Sequence, residues 1–251
     1  MNNELQVIVP WAPFCLSPDL RSGMESQLLF GERFTVRGVR SGWCEGVAEL
    51  DGSEGFVPRA ALGPVLGMPT HQVHALRTPV YGAPDYRSPS DKMVSFLTPV
   101  VVQEEKDGFA KAAGLGWLAQ SHLEPVGSRA TEMAAVAERF LGTPYLWGGR
   151  TSLGLDCFGL LQLCLQAVGQ PSPDEEGLAG KALPGGLQAK AQRGDLLFLP
   201  EHSGIFIDSD QILHAHNGNG QHLTTFIQPL HELLTSLGET GREGGAIHRL
   251  D

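Results

Sequence analysis

The sequence has few basic residues and no long apolar run, and each deficit excludes a class of protein. Its 18 lysines and arginines stand against 28 aspartates and glutamates, which gives a formal net charge of −10 at pH 7. Nucleic acids and anionic membrane surfaces are bound through basic patches, so we expect neither as a partner. No apolar stretch approaches the ~20 residues that a membrane helix needs, and the N-terminus lacks the basic and apolar regions of a signal peptide. These absences favour a cytoplasmic location.

Cysteine is scarce as well. The four cysteines, Cys15, Cys44, Cys157 and Cys164, include no Cys-x-x-Cys pair, and four in 251 residues do not make a disulfide scaffold. A reducing compartment agrees with this usage. Aromatic residues make up 7% and charged residues 18% of the chain, whereas glycine occurs 32 times. This composition is typical of a compact, loop-rich globular protein.

The N-terminal half contains an internal repeat. Each copy has an apolar strand, a Gly-aromatic pair, and a Gly-aromatic-apolar run that ends in leucine. Short runs rich in Val, Phe and Thr between Gly, Pro, Ser and Asp turns predict small all-β units. The pattern resembles bacterial SH3-like domains, which implies two small all-β SH3-like barrels at residues 1–66 and 67–127. The three parts lie at residues 28–36, 42–43 and 55–62 in the first copy, and at 94–102, 108–109 and 116–123 in the second.

Four aromatic residues mark the repeat: Trp43 and Phe56 in the first copy, and Phe109 and Trp117 in the second. Two interpretations of these rings stay open. They can fill two small hydrophobic cores, or one or two of them can line a binding groove.

Residues 128–251 differ in character and predict an α+β domain. Apolar residues at helical spacing predict a helix over residues 133–141, with Ser128 or Thr131 as N-cap and Gly142 as the stop. A second helix is predicted from Cys157 to Gly169. The remaining predicted segments are an exposed excursion at 170–191, strands at 195–200, 201–207 and 211–216 with a hairpin turn at 208–210, a short helix at 229–237, and a closing strand at 245–249.

Cys157 is the strongest candidate for chemistry, because it lies where a Gly-rich loop runs into a predicted helix. The first N–H groups of a helix have no partner within it, and the positive end of the helix dipole lies there. Both favour thiolate over thiol, so Cys157 is a candidate nucleophile. Most isolated cysteines are simply small buried residues, and that interpretation stands beside the catalytic one.

A cysteine nucleophile needs a base, and the base needs a partner that orients it. His202 opens one strand of the predicted hairpin and His214 lies near the end of the next, so strand pairing can bring the two imidazoles side by side. We assign His202 as the base and His214 as its orienting partner. His216 could replace His214 in that role. A zinc site formed by these three histidines and a cysteine is a further alternative, but no other ligand has zinc-site spacing, and we expect neither a metal nor another cofactor.

Three motifs in a fixed order carry a resemblance to a known family. They are Pro-Tyr-Leu-Trp-Gly-Gly-Arg-Thr with Gly-Leu-Asp-Cys-Phe-Gly-Leu, then Gly-Asp-Leu-Leu-Phe with His-Ser-Gly-Ile-Phe, then Ile-Leu-His-Ala, within residues 143–216. The chain thereby resembles the NlpC-type family of papain-like cysteine peptidases, which cleave peptidoglycan peptides. The resemblance implies Cys157 as nucleophile, His202 as base and His214 as third polar residue. It also implies that Tyr145 stabilises the oxyanion beside the Cys157 N–H, and both donors suit that charge.

SH3-like domains ahead of such a domain resemble γ-D-glutamyl-L-diamino acid endopeptidases, in which the N-terminal domain narrows the cleft so that a free N-terminal L-alanine fits. An ammonium group in a closed pocket needs acidic partners. The resemblance implies Asp156 in that role, assisted by a glutamate of the first repeat, Glu45 or Glu32. Trp147 and Phe158 are further expected substrate contacts. The family usually has Ser where this chain has Phe158, which keeps the backbone N–H but removes a hydroxyl.

The predicted function is therefore hydrolysis of the γ-D-Glu–diamino acid bond in free murein peptides of the type L-Ala-γ-D-Glu-diamino acid, in cell-wall peptide recycling. One alternative is a hydrolase of polymeric peptidoglycan, which the missing export signal and the acidic charge disfavour. Another is a non-catalytic protein whose SH3-like repeats bind a peptide. A papain-like acyltransferase is a weaker third alternative.

Overall fold

The structure, a computed structural model, describes residues 3–171, 181–200, 202–216, 223–238 and 245–250. The chain divides into two compact units, Met1–Ser128 and Arg129–Asp251. Sheets dominate both units, and helices are few among the described residues. Within the same residues, no helix is long and apolar enough to cross a membrane.

The first copy of the repeat folds around a five-stranded antiparallel sheet. Its strands are β1 (Glu4–Val7), β2 (Trp11–Phe14), β3 (Ser26–Leu29), β4 (Arg33–Arg40), β5 (Trp43–Ala48), β6 (Glu54–Pro58) and β7 (Leu62–Gly63). The sheet has the order β6-β5-β4-β1-β7, and β2 pairs with β3 in a separate ribbon. Fully buried Val7, Phe34 and Val57 belong to its core.

The second copy consists of shorter sheets. Its strands are β8 (His71–Val73), β9 (Arg77–Val80), β10 (Lys92–Ser95), β11 (Pro99–Val100), β12 (Val102–Lys106), β13 (Phe109–Ala112), β14 (Gly116–Ala119) and β15 (Leu123–Pro125). They form the sheets β11-β8-β15 and β12-β13-β14 and the ribbon β10-β9. Its core contains Val73 and Leu118 together with Phe30, a residue of the first copy. That ring packs the two copies together within one unit.

Neither copy closes into a barrel among the described residues, which corrects this part of the predicted fold class. A barrel needs continuous ladders of hydrogen bonds around its circumference. In the first copy, the β2–β3 ribbon meets β6 only through an isolated bridge between Cys15 and Phe56. In the second copy, a single bridge between Tyr81 and Trp117 takes the place of a ladder. The two copies are therefore sets of open sheets.

The marker aromatics of the repeat lie at the margins of these cores. Trp117 is buried, with 8% of its surface exposed. Trp43, Phe56 and Phe109 are half-buried. Rings in such positions both cover the core and keep one face toward solvent, so the two interpretations of them stay open.

The second unit packs three helices with a six-stranded antiparallel sheet, all within its described residues. The sheet has the order β18-β23-β19-β20-β21-β22, and a two-stranded ribbon pairs β16 with β17. Helix α2 packs against α1 and against β20 and β21. The elements are α1 (Met133–Glu138), β16 (Arg150–Thr151), β17 (Gly154–Leu155), α2 (Cys157–Val168), β18 (Lys181–Ala182), β19 (Leu196–Leu199), β20 (His202–Phe206), β21 (Gln211–His216), β22 (Thr224–Pro229), α3 (Leu230–Leu237) and β23 (Ala246–Arg249).

Helix α1 is shorter than the sequence predicts. Its N-cap is Glu132, which makes no side-chain capping bond, so the assignment of Ser128 or Thr131 as cap was wrong. The N–H groups of Arg139 and Phe140 bond to carbonyls three residues back, and such tighter turns end an α-helix. Phe140 is nevertheless fully buried, since the turn keeps it on the apolar side that the periodicity identified.

The predicted second helix and the hairpin are confirmed. Helix α2 begins at Cys157 and ends at Val168, and Gly169 follows it in the left-handed conformation. Strands β20 and β21 pair antiparallel, with Ile205 opposite Leu213 and Phe206 opposite Ile212. Residues 172–180 of the predicted excursion, and Glu201 at the start of the predicted strand 201–207, lie outside the described residues.

Candidate active site

Asp156 fixes the start of helix α2 and holds the loop before it. Its Oδ1 accepts the N–H of Gly159 at 2.7 Å, which makes it the helix N-cap. Its Oδ2 accepts the N–H of Gly148 at 2.7 Å. One carboxylate therefore sets the position of Cys157 relative to the Gly-rich loop. The sequence assigned Asp156 to a substrate amine and did not predict this structural role.

The glycines of the motif allow the loop and the helix to touch through their backbones. A Cβ on Gly159 would lie 2.0 Å from the carbonyl oxygen of Gly149. The same carbonyl accepts the N–H of Asp156 at 3.1 Å. Since no side chain fits between them, the first turn of α2 is held against the loop.

Cys157 is buried at this helix start, and its environment keeps the thiol protonated. Burial raises the pKa of the thiol to about 12, with the charge of Asp156 acting in the same direction. The backbones of Ser203 and Phe158 stabilise the thiolate and lower the pKa, but by less. We expected the helix terminus to favour the thiolate. Its backbone contribution has the expected sign, and desolvation outweighs it, so the pKa of the thiol is raised on balance.

Tyr145 lies in the electrostatic field of the thiol. Burial, followed by the charges of Cys157 and Asp156, raises the pKa of its phenol to about 12. The hydroxyl therefore stays protonated and can donate a hydrogen bond at neutral pH. The N–H of Tyr145 donates to the carbonyl of Leu223 at 2.8 Å, which fixes this part of the loop beside β22.

His202 and His214 meet across the hairpin as predicted. Nε2 of His202 lies 2.8 Å from Nδ1 of His214, and the two rings are arranged edge to face. Gly204 lies opposite His214 on the neighbouring strand, where a Cβ would be 2.5 Å from Ile212 Cγ2 and 3.4 Å from His214 Cβ. The missing side chain thus lets the two strands bring the imidazoles into contact.

His216 completes a cluster with these two rings. Its ring centroid is 5.0 Å from that of His202 and 5.5 Å from that of His214. Burial lowers the pKa of His202 to about 3, and the nearby His216 contributes in the same direction. The base candidate is therefore a neutral imidazole at neutral pH. Because the short ring-to-ring hydrogen bond of His202 goes to His214, the geometry favours His214 over His216 as its orienting partner.

The remaining predicted site residues fall into three groups. Trp147 and Phe158 belong to the second unit and are 63% and 48% exposed, so both rings are accessible to a ligand. Glu45 is exposed on β5 of the first unit. Glu32 is buried in the first unit, where its carboxylate accepts the N–H of Leu29 at 2.9 Å. The assignment of Glu45 or Glu32 to the substrate amine stays a prediction.

Ser203 is a site residue that the sequence did not single out. It is fully buried, and its interaction with the thiol of Cys157 lowers the pKa of that thiol. The histidine pattern concerned only the base and its partner, so it gave no reason to choose Ser203. The sequence offered one reason to choose Ser203, its position directly after the candidate base His202.

The chain matches known proteins in both units. Residues 142–232 match the NlpC/P60 family, and residues 15–62 match the bacterial dipeptidyl-peptidase Sh3 domain. The chain is 27% identical over 233 residues to the gamma-D-glutamyl-L-lysine dipeptidyl-peptidase of Bacillus subtilis (strain 168), which covers 83% of this chain and 78% of that one. It is 31% identical over 86 residues to dipeptidyl-peptidase 6 of Lysinibacillus sphaericus, which covers 33% of this chain and 31% of that one.

The fold is similar to the crystal structure of an NlpC/P60 family protein from Bacillus cereus ATCC 10987. The TM-score is 0.79 at 18% identity, over 98% of this chain and 99% of that one. The match to the NlpC/P60 family lies within the second unit, and the match to the bacterial dipeptidyl-peptidase Sh3 domain lies within the first. The chain thus combines similarity to both in the order that the sequence motifs indicated. Both parts of the predicted resemblance are thus confirmed.

Proposed function

We propose that this chain is a cysteine peptidase that hydrolyses the γ-D-Glu–diamino acid bond of free murein peptides with an N-terminal L-alanine. The observation that carries the proposal is the position of Cys157 at the start of α2, where its thiol interacts with Ser203, the residue after His202. His202 in turn bonds to His214. The name of the Bacillus subtilis relative, a gamma-D-glutamyl-L-lysine dipeptidyl-peptidase, supports the choice of bond.

In the proposed mechanism, His202 acts on the thiol through Nδ1. Nε2 of His202 lies 2.8 Å from Nδ1 of His214, and we assign the proton of this hydrogen bond to His202 Nε2, so that Nδ1 keeps a lone pair. The thiol and the imidazole are both neutral at rest, since their pKa values are raised and lowered respectively. Proton transfer from sulfur to Nδ1 therefore accompanies attack of the sulfur on the carbonyl carbon.

The tetrahedral intermediate carries a negative oxygen that needs donors. The hydroxyl of Tyr145, protonated because its pKa is raised to about 12, and the N–H of Cys157 supply them. His202 then gives its proton to the leaving amine of the diamino acid. Water, activated by the same ring, hydrolyses the thioester and releases the L-Ala-γ-D-Glu dipeptide.

Exposed side chains near the nucleophile in the sequence are the candidates for substrate recognition. Trp147 precedes Cys157 and Phe158 follows it, and the rings of both are exposed. Asp156 is half-buried beside the nucleophile, and its carboxylate carries the negative charge that an ammonium group requires. We assign it to the ammonium group of the N-terminal alanine.

The experiment that tests the proposal is mass spectrometry of products from L-Ala-γ-D-Glu-diaminopimelate, from its N-acetylated form, and from intact sacculi. We expect cleavage of the free tripeptide after γ-D-Glu, and much slower reaction of the other two substrates. Cys157→Ala should lower the rate at least about a thousandfold. Cys164→Ala is the matched control, since Cys164 is fully buried on the same helix. Equal rates for wild type and Cys157→Ala would refute the mechanism.

A further inference from the structure

The imidazoles of His202, His214 and His216 form a cluster that the proposed reaction uses only in part. One nitrogen from each ring lies within 4.8 Å of the corresponding nitrogens of the other two. The rings of His214 and His216 stack, with an interplanar angle of 25°. A base with one orienting partner needs two of these rings, whereas three converging imidazoles form a set of metal ligands.

We propose that the three histidines bind a zinc-class divalent cation, and that the bound ion switches the hydrolase off. Imidazole suits Zn²⁺ and the neighbouring first-row ions, and three histidines leave a fourth position for water. Zn–N bonds at a tetrahedral angle place two ligand nitrogens about 3.4 Å apart. His202 Nε2 and His214 Nδ1 are 2.8 Å apart, so a small outward movement of the rings admits the ion.

The surroundings of the cluster suit a cation held by neutral ligands. His202 and His214 are buried, with 5% and 0% of their surface exposed, whereas His216 at the end of β21 is half-buried and gives the ion access. The ring of Phe226 lies 4.7 Å from that of His214 and forms an apolar wall. Gly204 adds no side chain to the space between the strands.

The inhibitory consequence rests on the proposed function. In the working enzyme, His202 carries its proton on Nε2 and presents a lone pair on Nδ1. An ion on Nε2 takes the place of that proton, so the neutral ring carries its proton on Nδ1 instead. Nδ1 then has no lone pair to accept the proton of the Cys157 thiol. The ion thus blocks the base without contacting the sulfur.

The site is tested first without substrate. Zn²⁺ is titrated calorimetrically into the full chain in chelator-free buffer, and we expect one site whose affinity falls at least about tenfold in His216→Gln. His231→Gln is the matched control, because His231 is exposed on α3. Thermal unfolding without metal checks that both variants fold. No binding to the wild type, or equal affinity in wild type and His216→Gln, overturns the site.

Cobalt absorption of the wild-type chain gives a readout that needs no variant. Bound Co²⁺ should show the intense visible bands of a tetrahedral nitrogen site, and the weak spectrum of the hydrated ion would contradict the proposal.

The switch is tested by tripeptide hydrolysis with and without Zn²⁺, each protein compared with its own metal-free rate. We expect inhibition of the wild type that a chelator reverses, and at least about tenfold lower sensitivity in His216→Gln. Zinc bound at the cluster without inhibition would overturn the switch. A chain that binds zinc at the cluster yet cleaves no murein peptide when metal-free would refute the proposed function and leave the site standing.

Discussion

Nε2 of His202 lies 2.8 Å from Nδ1 of His214, although the two residues are not directly opposite in the hairpin. Continuing the register of Ile205 with Leu213 places His216 opposite His202 and His214 opposite Gly204. The bond is therefore diagonal, and it crosses the space that the side chain of residue 204 would otherwise take. This arrangement determines which nitrogen of His202 remains for the nucleophile.

Replacement of His214 tests the orienting role. His214→Phe keeps an aromatic ring beside Phe226 but removes the nitrogen that bonds to His202. We expect kcat to fall about 10- to 100-fold with KM changed less than about twofold, because the base loses its tautomer control while substrate contacts remain. His214→Asn, whose amide oxygen can accept the bond, should recover part of the rate. A loss confined to KM would argue against this role.

The pH dependence of kcat/KM tests the neutral thiol–imidazole pair. His202, with its pKa lowered to about 3, is an unprotonated base at any higher pH, and Cys157, with its pKa raised to about 12, is a thiol at any lower pH. We therefore expect a flat profile between about pH 5 and pH 9. Alkylation of Cys157 by iodoacetamide should rise about tenfold per pH unit over the same range. An alkylation rate that levels off below pH 8 would instead reveal a preformed ion pair.

Gly159→Ala tests the contact between loop and helix. The new Cβ would lie 2.0 Å from the Gly149 carbonyl oxygen, so the first turn of α2 must move and take Cys157 with it. We expect a loss of about 1–3 kcal/mol in the free energy of unfolding and at least a tenfold loss in kcat/KM. Gly38→Ala is the control, because its Cβ would meet only Glu45 Oε2, at 3.8 Å. Denaturant titrations and kinetics with the tripeptide measure both effects.

Asp156→Asn separates the capping role from the charge. The amide has one oxygen to serve two backbone N–H groups, so unfolding should become easier by about 1 kcal/mol. The lost negative charge no longer raises the pKa of Cys157, so alkylation at pH 8 should become faster. If the carboxylate binds the alanine ammonium, the preference for free over acetylated peptide should fall about tenfold. An unchanged preference would assign Asp156 to structure alone.

Local patterns in the sequence were enough to locate the main parts of the candidate site. A Gly-rich loop before an apolar helical repeat predicted the helix start at Cys157, because loop composition and periodicity are properties of neighbouring residues. Alternation around the turn at 208–210 likewise predicted the hairpin that carries His202 and His214. The position of helix α1 was predicted correctly but its length was overestimated, because the apolar spacing continues through the tighter turn that ends the helix.

The tertiary structure decided what depends on distance and burial. Whether His214 or His216 bonds to His202 is set by the spatial arrangement of two strands, which spacing along the chain does not contain. The protonation of Cys157 is set by burial, which outweighs the helix-terminus effect that the sequence suggested. Phe30 likewise belongs to the first repeat by its position in the sequence, but its side chain packs in the core of the second. Interactions between residues close in sequence can be predicted from the sequence, whereas desolvation and contacts between distant residues arise only when the chain folds.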